Sequence, residues 1–181
     1  MGKDKALLEI EDRPFIQQVA ETLQSAFDAV FIISDHGQAY HFLNIPIYED
    51  VYKDCGPLGG IHSALSHSPT DKVFIVPCDV PLLKPSTMKY LPVDSEINGD
   101  VSVVSVSDNI QPLIGLYDRK CLPMMEHHLK HGQYSVATFL NDVKTTIIDL
   151  TTTPGIIIEQ MLLNVNTLDS YQQLLSDITS K

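Results

Sequence analysis

Apolar residues along the chain repeat with two different periods, and the alternation between these periods predicts an α/β protein. From Pro14 onward, apolar side chains spaced three and four residues apart fall on one face of a helix. Short continuous apolar runs, such as Val30–Ile33 and Val73–Val76, are typical of strands buried on both faces of a parallel sheet. Such strands, alternating with helices, favour an α/β sandwich with a mostly parallel sheet.

The same pattern predicts the individual elements. Helices are predicted over Pro14–Ala26, Gly60–His67, Pro85–Leu91, Cys121–Lys130, Ser135–Leu140 and Thr167–Leu175. Strands are predicted at Val30–Ile33, Val73–Val76, Leu113–Tyr117, Thr145–Leu150 and Val101–Val106, the last with one exposed face because it roughly alternates. We find no internal repeat or linker, so we predict a single domain over residues 1–181.

Composition and charge narrow the classes of partner. The chain is 44% apolar and 19% charged, as is ordinary for a globular protein, and its formal net charge of -11 argues against nucleic acid as a partner. No apolar run approaches the roughly 20 residues that span a bilayer, so we expect no membrane association. Cys55, Cys78 and Cys121 are odd in number and widely spaced, which predicts free thiols and a cytoplasmic location.

Candidate chemistry lies where apolar strands end, because ligands of such sheets bind beyond the carboxyl ends of the strands. Asp79 follows the predicted strand Val73–Val76 and stands between Pro77 and Pro81. A carboxylate there is well placed to hold Mg²⁺, which prefers one or two carboxylates together with phosphate oxygens and water. A residue that only caps the turn before Pro81 is an equally good interpretation from the spacing alone.

A glycine-rich segment at Gly56–Gly60 follows a second acidic strand end, Glu49-Asp50. Glycines let backbone N–H groups approach a ligand closely, and the helix that follows offers its positive end to phosphate. Asp50 would accept hydrogen bonds from a nucleobase or sugar, and Lys5 would supply a point charge beside phosphates. The alternatives are a tight turn for the glycines, a solvated strand end for Asp50 and an ordinary surface lysine for Lys5.

Two other candidates are weaker. His127 and His131 have the i, i+4 spacing of a two-histidine zinc site, but with His128 they more simply form a solvated helix face, since no third ligand is near in sequence. Cys78 adjoins Asp79, whose charge would raise the pKa of the thiol, so we interpret this cysteine as a small packing residue and not a nucleophile.

Five segments resemble, in order and spacing, the signature of one family over essentially the whole chain. Gly2–Leu8 resembles the end of L-A-G-G-x-S-x-R-M-G-x-D-K-A-L-L, and Glu49-Asp50 with Gly56–Ile61 resembles E-D…G-P-L-A-G-I. The others are Pro77–Pro81 (P-C-D-x-P), Gln111–Tyr117 (Q-P-L-x-A-L-Y) and Asn164–Thr167 (N-V-N-T). On these motifs the chain resembles the molybdenum cofactor guanylyltransferases, a branch of the sugar-nucleotide-pyrophosphorylase-like nucleotidyltransferases.

The resemblance implies a fold, a reaction and partners. The fold would be a three-layer, Rossmann-like nucleotidyltransferase domain. The reaction would join GTP and molybdopterin into the guanine dinucleotide form of the molybdenum cofactor, with release of pyrophosphate. Mg²⁺ would be the cofactor, and molybdoenzymes or their chaperones would be further partners. No covalent protein nucleophile is required, because positioning and charge neutralisation account for most catalysis of this kind.

The resemblance also implies roles for individual residues. Lys5 would contact the GTP phosphates and Asp79 would hold Mg²⁺ between them, which makes these two the catalytic candidates. Asp50 would contact the nucleotide, whose pocket Gly56 and Gly60 would line. A less specific match assigns two further residues to the pterin side or the metal side of the site, namely Asn164 and Asn166.

The chain departs from the family pattern at two places. The family signature starts with a strand and the L-A-G-G loop, whereas this sequence starts at the M-G of that motif. We therefore expect a domain that is truncated at its N-terminus relative to the family, marginally stable and weak in GTP binding. At the end of the second strand, Ser34-Asp35 stands where some relatives have Asn.

Two alternatives to guanylyl transfer stay open on the sequence. One is the related cytidylyltransferase that acts on the same pterin, which Pro77–Pro81 and Gln111–Leu113 disfavour. The other is a non-catalytic nucleotide-binding or adaptor protein that lacks the phosphate-binding loop. A comparison of GTP with CTP binding separates the two enzymes.

Overall fold

The computed structural model describes residues 4–93, 99–151 and 171–172, in which helices alternate with strands as the apolar pattern predicts. The α-helices are α1 (Phe15–Gln24), α2 (Gly56–His67), α3 (Leu122–Lys130) and α4 (Val136–Asn141). The strands are β1 (Glu9–Ile10), β2 (Arg13–Pro14), β3 (Ile32–Ile33), β4 (Ile47–Tyr48), β5 (Lys72–Ile75), β6 (Val101–Val106), β7 (Asn109–Asp118) and β8 (Thr145–Asp149). Short 3-10 helices occur at Lys5–Leu7, Gly37–Leu43, Pro85–Tyr90 and Arg119–Cys121. Of the predicted helix Thr167–Leu175, only residues 171–172 are described, and they are helical.

The four-stranded sheet has the order β5-β7-β6-β8. Strand β7 is antiparallel to both β5 and β6, whereas β6 and β8 are parallel. Three of these strands therefore point in one direction and β7 alone is reversed, so the sheet is mixed and the predicted α/β class is confirmed. Strands β3 and β4 form a separate parallel pair, and β1 with β2 forms a small antiparallel hairpin.

The reversal of β7 follows from the turn that precedes it. Ser107 and Asp108 both adopt positive φ, at 50° and 64°, the conformation that a two-residue hairpin requires. Strand β7 consequently starts at Asn109, four residues before the predicted Leu113. Its register against β6 shifts after Val103, next to Pro112, which has no N–H to donate to a neighbouring strand.

The prediction that β6 has one exposed face is wrong. All six residues of β6 are buried, including Ser102 and Ser105. Strand β6 lies between β7 and β8 in the sheet, so neither edge is open, and Val101 and Val103 belong to the main apolar cluster. The serines that alternate with valine in this strand are therefore buried small side chains and do not indicate solvent exposure.

Contacts divide the chain into two compact units. The first unit includes residues 4–29, 77–88 and 171–172, and the second includes residues 30–76, 89–93 and 99–151. In the second unit, residues of α2, α3 and α4 pack with β5, β6 and β7 around Leu58, Tyr117 and Phe139, each fully buried. In the first unit, Ile10 and Phe15 form a smaller cluster.

Local signals in the sequence account for the starts of two helices. Pro14 is the N-cap of α1, whose buried residues Phe15, Ile16, Val19 and Ala20 fall on one face as predicted. Ser135 caps α4 by accepting a hydrogen bond from the Thr138 N–H. Among the described helices, none has the length and apolar character needed to cross a membrane. The three cysteines are free thiols, as predicted.

Candidate active site

Asp79 lies in the first unit, in a turn whose neighbouring apolar side chains are buried. Its neighbour Val80 is fully buried, Leu83 is 3% exposed, and Leu82 packs against the cluster of Ile10 and Phe15. The hydroxyl of Thr22 in α1 donates a buried hydrogen bond of 3.0 Å to the Leu83 carbonyl. The backbone of the turn is therefore fixed independently of the Asp79 side chain.

Burial changes the acidity of both residues at this turn. It raises the pKa of the Asp79 carboxyl, against the opposing effects of the residue's own backbone N–H and the nearby Lys5 charge. It also raises the pKa of the Cys78 thiol to about 11, and the charge of Asp79 adds to this effect. Cys78 is therefore a protonated thiol at neutral pH and not a nucleophile, as the sequence predicts.

Lys5 lies close enough to Asp79 for its charge to act on that carboxyl. It starts a 3-10 helix whose N-cap, Asp4, accepts a 3.0 Å hydrogen bond from the Ala6 N–H. Ala6 is buried and anchors this helix within the first unit. The structure thus brings together Lys5 and Asp79, the two predicted catalytic residues.

Asp50 lies in the second unit, just beyond β4. Strands β3 and β4 are parallel, with Ile32 opposite Ile47 and Ile33 opposite Tyr48, so their carboxyl ends meet at the same edge. Asp35, which follows β3, consequently reaches Asp50 and accepts a 3.1 Å hydrogen bond from its backbone N–H. Sequence reasoning noted Asp35 only as a departure from the family pattern and did not assign it a role.

The glycine-rich segment is part of a helix and does not form a loop before one. The predicted helix starts at Gly60, but α2 starts at Gly56, whose φ of +60° suits glycine. At Gly59 a Cβ would lie 3.0 Å from the Tyr52 carbonyl oxygen and 3.1 Å from the Cys55 Cβ. Glycine there lets the segment after Asp50 fold tightly over the first turn of α2.

The first turns of α2 also surround the Asp50 carboxylate. A Cβ at Gly60 would stand 4.0 Å from Asp50 Oδ1, so this glycine lies directly beside that buried oxygen. Ser63 accepts a 2.9 Å hydrogen bond from the Val51 N–H and donates one of 2.7 Å to the Gly59 carbonyl. Burial raises the pKa of Asp50, while proximity to the Ser63 hydroxyl lowers it.

Asp50 and Asp79 share one unusual property. Each has a buried carboxylate oxygen, Oδ1, that makes no hydrogen bond. Within the described part of the chain, the other buried side-chain atoms without such a bond are ring nitrogens of two histidines, His62 and His128. A buried polar atom without a partner costs roughly 1–3 kcal/mol, and so an acceptor of this kind is expected where a ligand or ion completes the site.

The predicted site residues thus fall into two groups. Lys5 and Asp79 lie together in the first unit, and Asp50, Gly56 and Gly60 belong to the second. Asn164 and Asn166 lie outside the described residues. The roles of all of these residues stay predictions.

The histidine group on α3 divides into exposed and buried members. His127 and His131 are exposed, with ring centroids 4.3 Å apart, and this agrees with a solvated helix face. His128 does not share that face: it is buried against Phe139, and its Nε2 lies 2.9 Å from Asp142 Oδ2. In the described ranges, His, Cys, Asp and Glu side chains form no cluster of three or more that would suit a metal ion.

Comparison with known proteins gives one consistent family. The model of the MobA-like NTP transferase domain matches residues 1–145. A probable molybdenum cofactor guanylyltransferase of Carboxydothermus hydrogenoformans is 34% identical over 182 residues, which are 100% of this chain and 91% of that protein.

Solved structures agree on the fold. Molybdopterin-guanine dinucleotide biosynthesis protein A of Archaeoglobus fulgidus superposes with a TM-score of 0.83 at 20% identity, over 99% of this chain and 93% of that chain. A Mycobacterium tuberculosis protein crystallised in complex with manganese superposes with a TM-score of 0.70 at 17% identity, over 95% of this chain and 91% of that chain. These likenesses show a nucleotidyltransferase-like fold for the chain.

Proposed function

The chain belongs to the MobA-like NTP transferase family, and from that membership we propose that it is a molybdenum cofactor guanylyltransferase. The enzyme transfers GMP from GTP to molybdopterin, forms the guanine dinucleotide cofactor and releases pyrophosphate. The 34% identity to a protein named as such a guanylyltransferase, over 91% of its length, supports this activity over that of the cytidylyltransferase. A non-catalytic adaptor is disfavoured for the same reason.

One structural observation supports the assignment of residues most directly. The two carboxylates in the family motifs, Asp50 and Asp79, are those with a buried and unpartnered oxygen in the described chain. A protein that only needed these residues for folding would satisfy such oxygens internally. Their unfilled capacity fits a bound nucleotide and a bound cation.

Asp79 and Lys5 act on the phosphates in this proposal. The unpartnered oxygen of Asp79 is a hard ligand suited to Mg²⁺, which would take its remaining ligands from phosphate oxygens and water. When bound, Mg²⁺ neutralises charge on those phosphate oxygens. Lys5 adds a positive charge close to the same carboxylate, so it would orient the triphosphate against Asp79.

Asp50 and the glycines act on the nucleoside part. Asp50 Oδ1 would accept a hydrogen bond from an N–H or O–H donor of the base or sugar, and Gly60, which has no side chain, lies beside that oxygen. Gly56 is open on its side-chain side, since a Cβ there would meet nothing within 4 Å. Asn164 and Asn166 are proposed for the pterin side or the metal side, from their motif alone.

The transfer requires no covalent protein intermediate. An oxygen of the pterin phosphate forms a bond to the α-phosphorus of GTP while the bond from that phosphorus to the β-phosphate bridge oxygen breaks, and pyrophosphate leaves. The raised pKa of Cys78 keeps the nearest thiol protonated and unreactive. The protein's contribution is to position the reactants and to stabilise charge. We further propose a cytoplasmic enzyme that passes its product to molybdoenzymes or their chaperones.

A comparison of GTP and CTP as substrates, in separate reactions, tests this function. Purified protein is incubated with molybdopterin, Mg²⁺ and either GTP or CTP, and pyrophosphate release is measured with and without the pterin. We expect pterin-dependent release with GTP and at least tenfold less with CTP. Faster release with CTP would establish the cytidylyltransferase, and nucleotide binding with no release in either reaction would favour the adaptor.

A further inference from the structure

A small charged cluster joins the ends of β3 and β4 beside Asp50. The Lys53 ammonium forms an ion pair with Asp35 Oδ1 and a second one, of 2.8 Å, with Glu49 Oε2. The same Asp35 oxygen accepts the 3.1 Å hydrogen bond from the Asp50 backbone N–H. We refer to Asp35, Glu49 and Lys53 as the clamp.

The clamp acts on the backbone of Asp50 and leaves its Oδ1 atom without a hydrogen bond. Asp50 Oδ1 has no hydrogen-bond partner in the described chain, although Lys53 lies only three residues away. Lys53 is instead directed to Asp35 and Glu49, and Ser63 fixes the next residue, Val51, through its backbone N–H. The backbone N–H groups of Asp50 and Val51 are therefore both hydrogen-bonded, while the buried Asp50 Oδ1 lies beside Gly60.

Energetics favour a positioning role over a stabilising one. Lys53 is 49% exposed and Glu49 74% exposed, and ion pairs between such exposed side chains contribute roughly 0–1 kcal/mol to stability. A displacement of about 1 Å at a binding group, in contrast, lowers activity by up to roughly a hundredfold. The loss of the clamp should therefore affect ligand binding much more than folding.

We propose that Asp35 and Lys53 are positioning residues that hold Asp50 in the orientation required for binding the nucleoside part of the nucleotide. This inference rests on the proposed function, in which Asp50 contacts the nucleotide. It assigns a role to Asp35, the acidic residue that stands after the predicted strand Val30–Ile33. It also gives Lys53 a role other than phosphate binding, since its ammonium is engaged by two carboxylates.

Four variants separate positioning from folding. Asp35→Ala removes the acceptor of the Asp50 N–H, whereas Asp35→Asn keeps an acceptor oxygen and removes only the charge. Lys53→Met removes the charge that holds the cluster together. The matched control is Arg13→Met, which removes a cation of similar exposure, 48%, from an exposed ion pair with Glu21 in the first unit.

GTP binding by calorimetry and urea unfolding are measured on each variant. We expect Asp35→Ala to weaken GTP binding about ten- to a hundredfold, Asp35→Asn to recover most of that loss, and Arg13→Met to bind like the wild type. Urea midpoints of the four variants should stay close to that of the wild type. In the ligand-free protein, amide exchange at Asp50 should become faster in Asp35→Ala and stay unchanged in Arg13→Met.

The pH dependence of GTP binding gives a readout that simple loss of structure would not produce. Asp35 and Lys53 are the charged groups that act on Asp50 in the described chain: the charge of Asp35 raises the pKa of Asp50, and that of Lys53 lowers it. GTP binding should weaken at the acidic pH where the Asp50 carboxyl becomes protonated. We expect this pH to be higher in Lys53→Met and lower in Asp35→Asn than in the wild type.

Failure of the clamp and failure of the proposed function give different results. A wild-type protein that binds no GTP would overturn the function, and the positioning role with it. Wild-type binding that Asp35→Ala leaves unchanged would overturn the clamp alone. An equal loss of stability and affinity in Asp35→Ala and Asp35→Asn, with pH limits that move together, would also contradict positioning.

Discussion

At the scale of single residues, the candidate site is recognisable by unfilled hydrogen-bonding capacity. Asp79 and Asp50 keep a buried oxygen without a partner, and burial raises the pKa of both carboxyls. A folded chain retains such groups at a cost in stability, which makes both residues candidates for ligand binding.

Replacement of Asp79 by Ala should nearly abolish guanylyl transfer and leave the fold intact. The carboxylate is the proposed cation ligand, and loss of several kcal/mol of charge stabilisation lowers turnover by about two to three orders of magnitude. The turn should persist, because it is anchored by Val80 and by the Thr22–Leu83 hydrogen bond. Turnover and circular dichroism of the variant would be compared with those of Asp71→Ala, whose carboxylate is 90% exposed. Near-normal turnover, or an unfolded variant, would contradict the prediction.

Replacement of Asp50 by Asn should stabilise the ligand-free protein at neutral pH. The pKa of Asp50 is raised above its ordinary value of 3.8 in the folded state, so the folded protein binds this proton more tightly than the unfolded chain does. The wild type therefore loses stability as the pH rises from 3.8 through the folded pKa. Asn cannot ionise and avoids that loss, which is below about 1 kcal/mol because the side chain is partly exposed.

Urea unfolding midpoints test the direction of this stability difference. They are measured for the Asp50→Asn variant and the wild type between about pH 4 and pH 7. The difference between the two proteins should grow with pH in favour of the variant. The exposed Asp108→Asn replacement in the hairpin serves as the control and should show no such trend. A difference that shrinks with rising pH would mean that ionised Asp50 is stabilised in the fold.

At the scale of elements, short strands and one helix start determine where the site residues lie. The β3–β4 pair has only two residues in each strand, yet its parallel register brings the ends of both strands together. Helix α2 then places two glycines with different environments, Gly59 against the backbone and Gly60 beside a carboxylate. The pair allows packing and binding to be tested separately.

Gly59→Ala and Gly60→Ala should have opposite effects on stability. At Gly59 the new Cβ would be 3.0 Å from the Tyr52 carbonyl oxygen, so the backbone must shift, at a cost of about 1–3 kcal/mol. At Gly60 the nearest atom is Asp50 Oδ1 at 4.0 Å, and Ala within the helix should stabilise by about 0.5–1 kcal/mol. The Gly60 variant should nevertheless bind GTP more weakly, because its methyl group would stand next to the oxygen that is proposed to contact the nucleotide. Thermal unfolding and GTP titration of both variants test this, and a destabilised Gly60→Ala or an unaffected Gly59→Ala would contradict it.

At the scale of the whole molecule, repulsion among the excess negative charges lowers the stability of the folded chain. The formal net charge is -11, from 12 basic and 23 acidic residues. Repulsion among these charges destabilises the folded chain, and salt screens it over a Debye length of about 10 Å at 0.1 M. The acidity also makes local positive charge, such as that of Lys5, important for any bound triphosphate.

Raising sodium chloride from about 0.02 M to 0.3 M should therefore increase the melting temperature by a few degrees. The measurement uses the ligand-free protein in a buffer without phosphate or sulfate, since those anions resemble the substrate. A less acidic variant, with several surface Asp residues changed to Asn, should respond less to salt. A melting temperature that falls with salt would show that attractive ion pairs outweigh the repulsion.

The sequence by itself determined the class of the fold and the candidate chemistry, because apolar periodicity reports which faces are buried and strand ends mark ligand sites. It located α1, β5 and β8 within a few residues, together with Asp79 and Asp50 at their strand ends. Its errors arose where one local pattern suits two environments. The Val-Ser alternation in β6 predicts a strand with one exposed face, but all six residues are buried. The Gly56–Gly60 segment predicts a loop before a helix, but it forms the first residues of α2.

Only the tertiary structure decided which groups meet and which go without a partner. The reversal of β7 depends on two positive φ angles at Ser107 and Asp108, for which the sequence has no glycine signal. The bond from the Asp50 N–H to Asp35 joins residues 15 positions apart, and it exists because two short strands pair in parallel. Hydrogen-bond satisfaction is a property of the packed state, so the unpartnered oxygens of Asp50 and Asp79 become visible only once every other acceptor and donor around them has been placed.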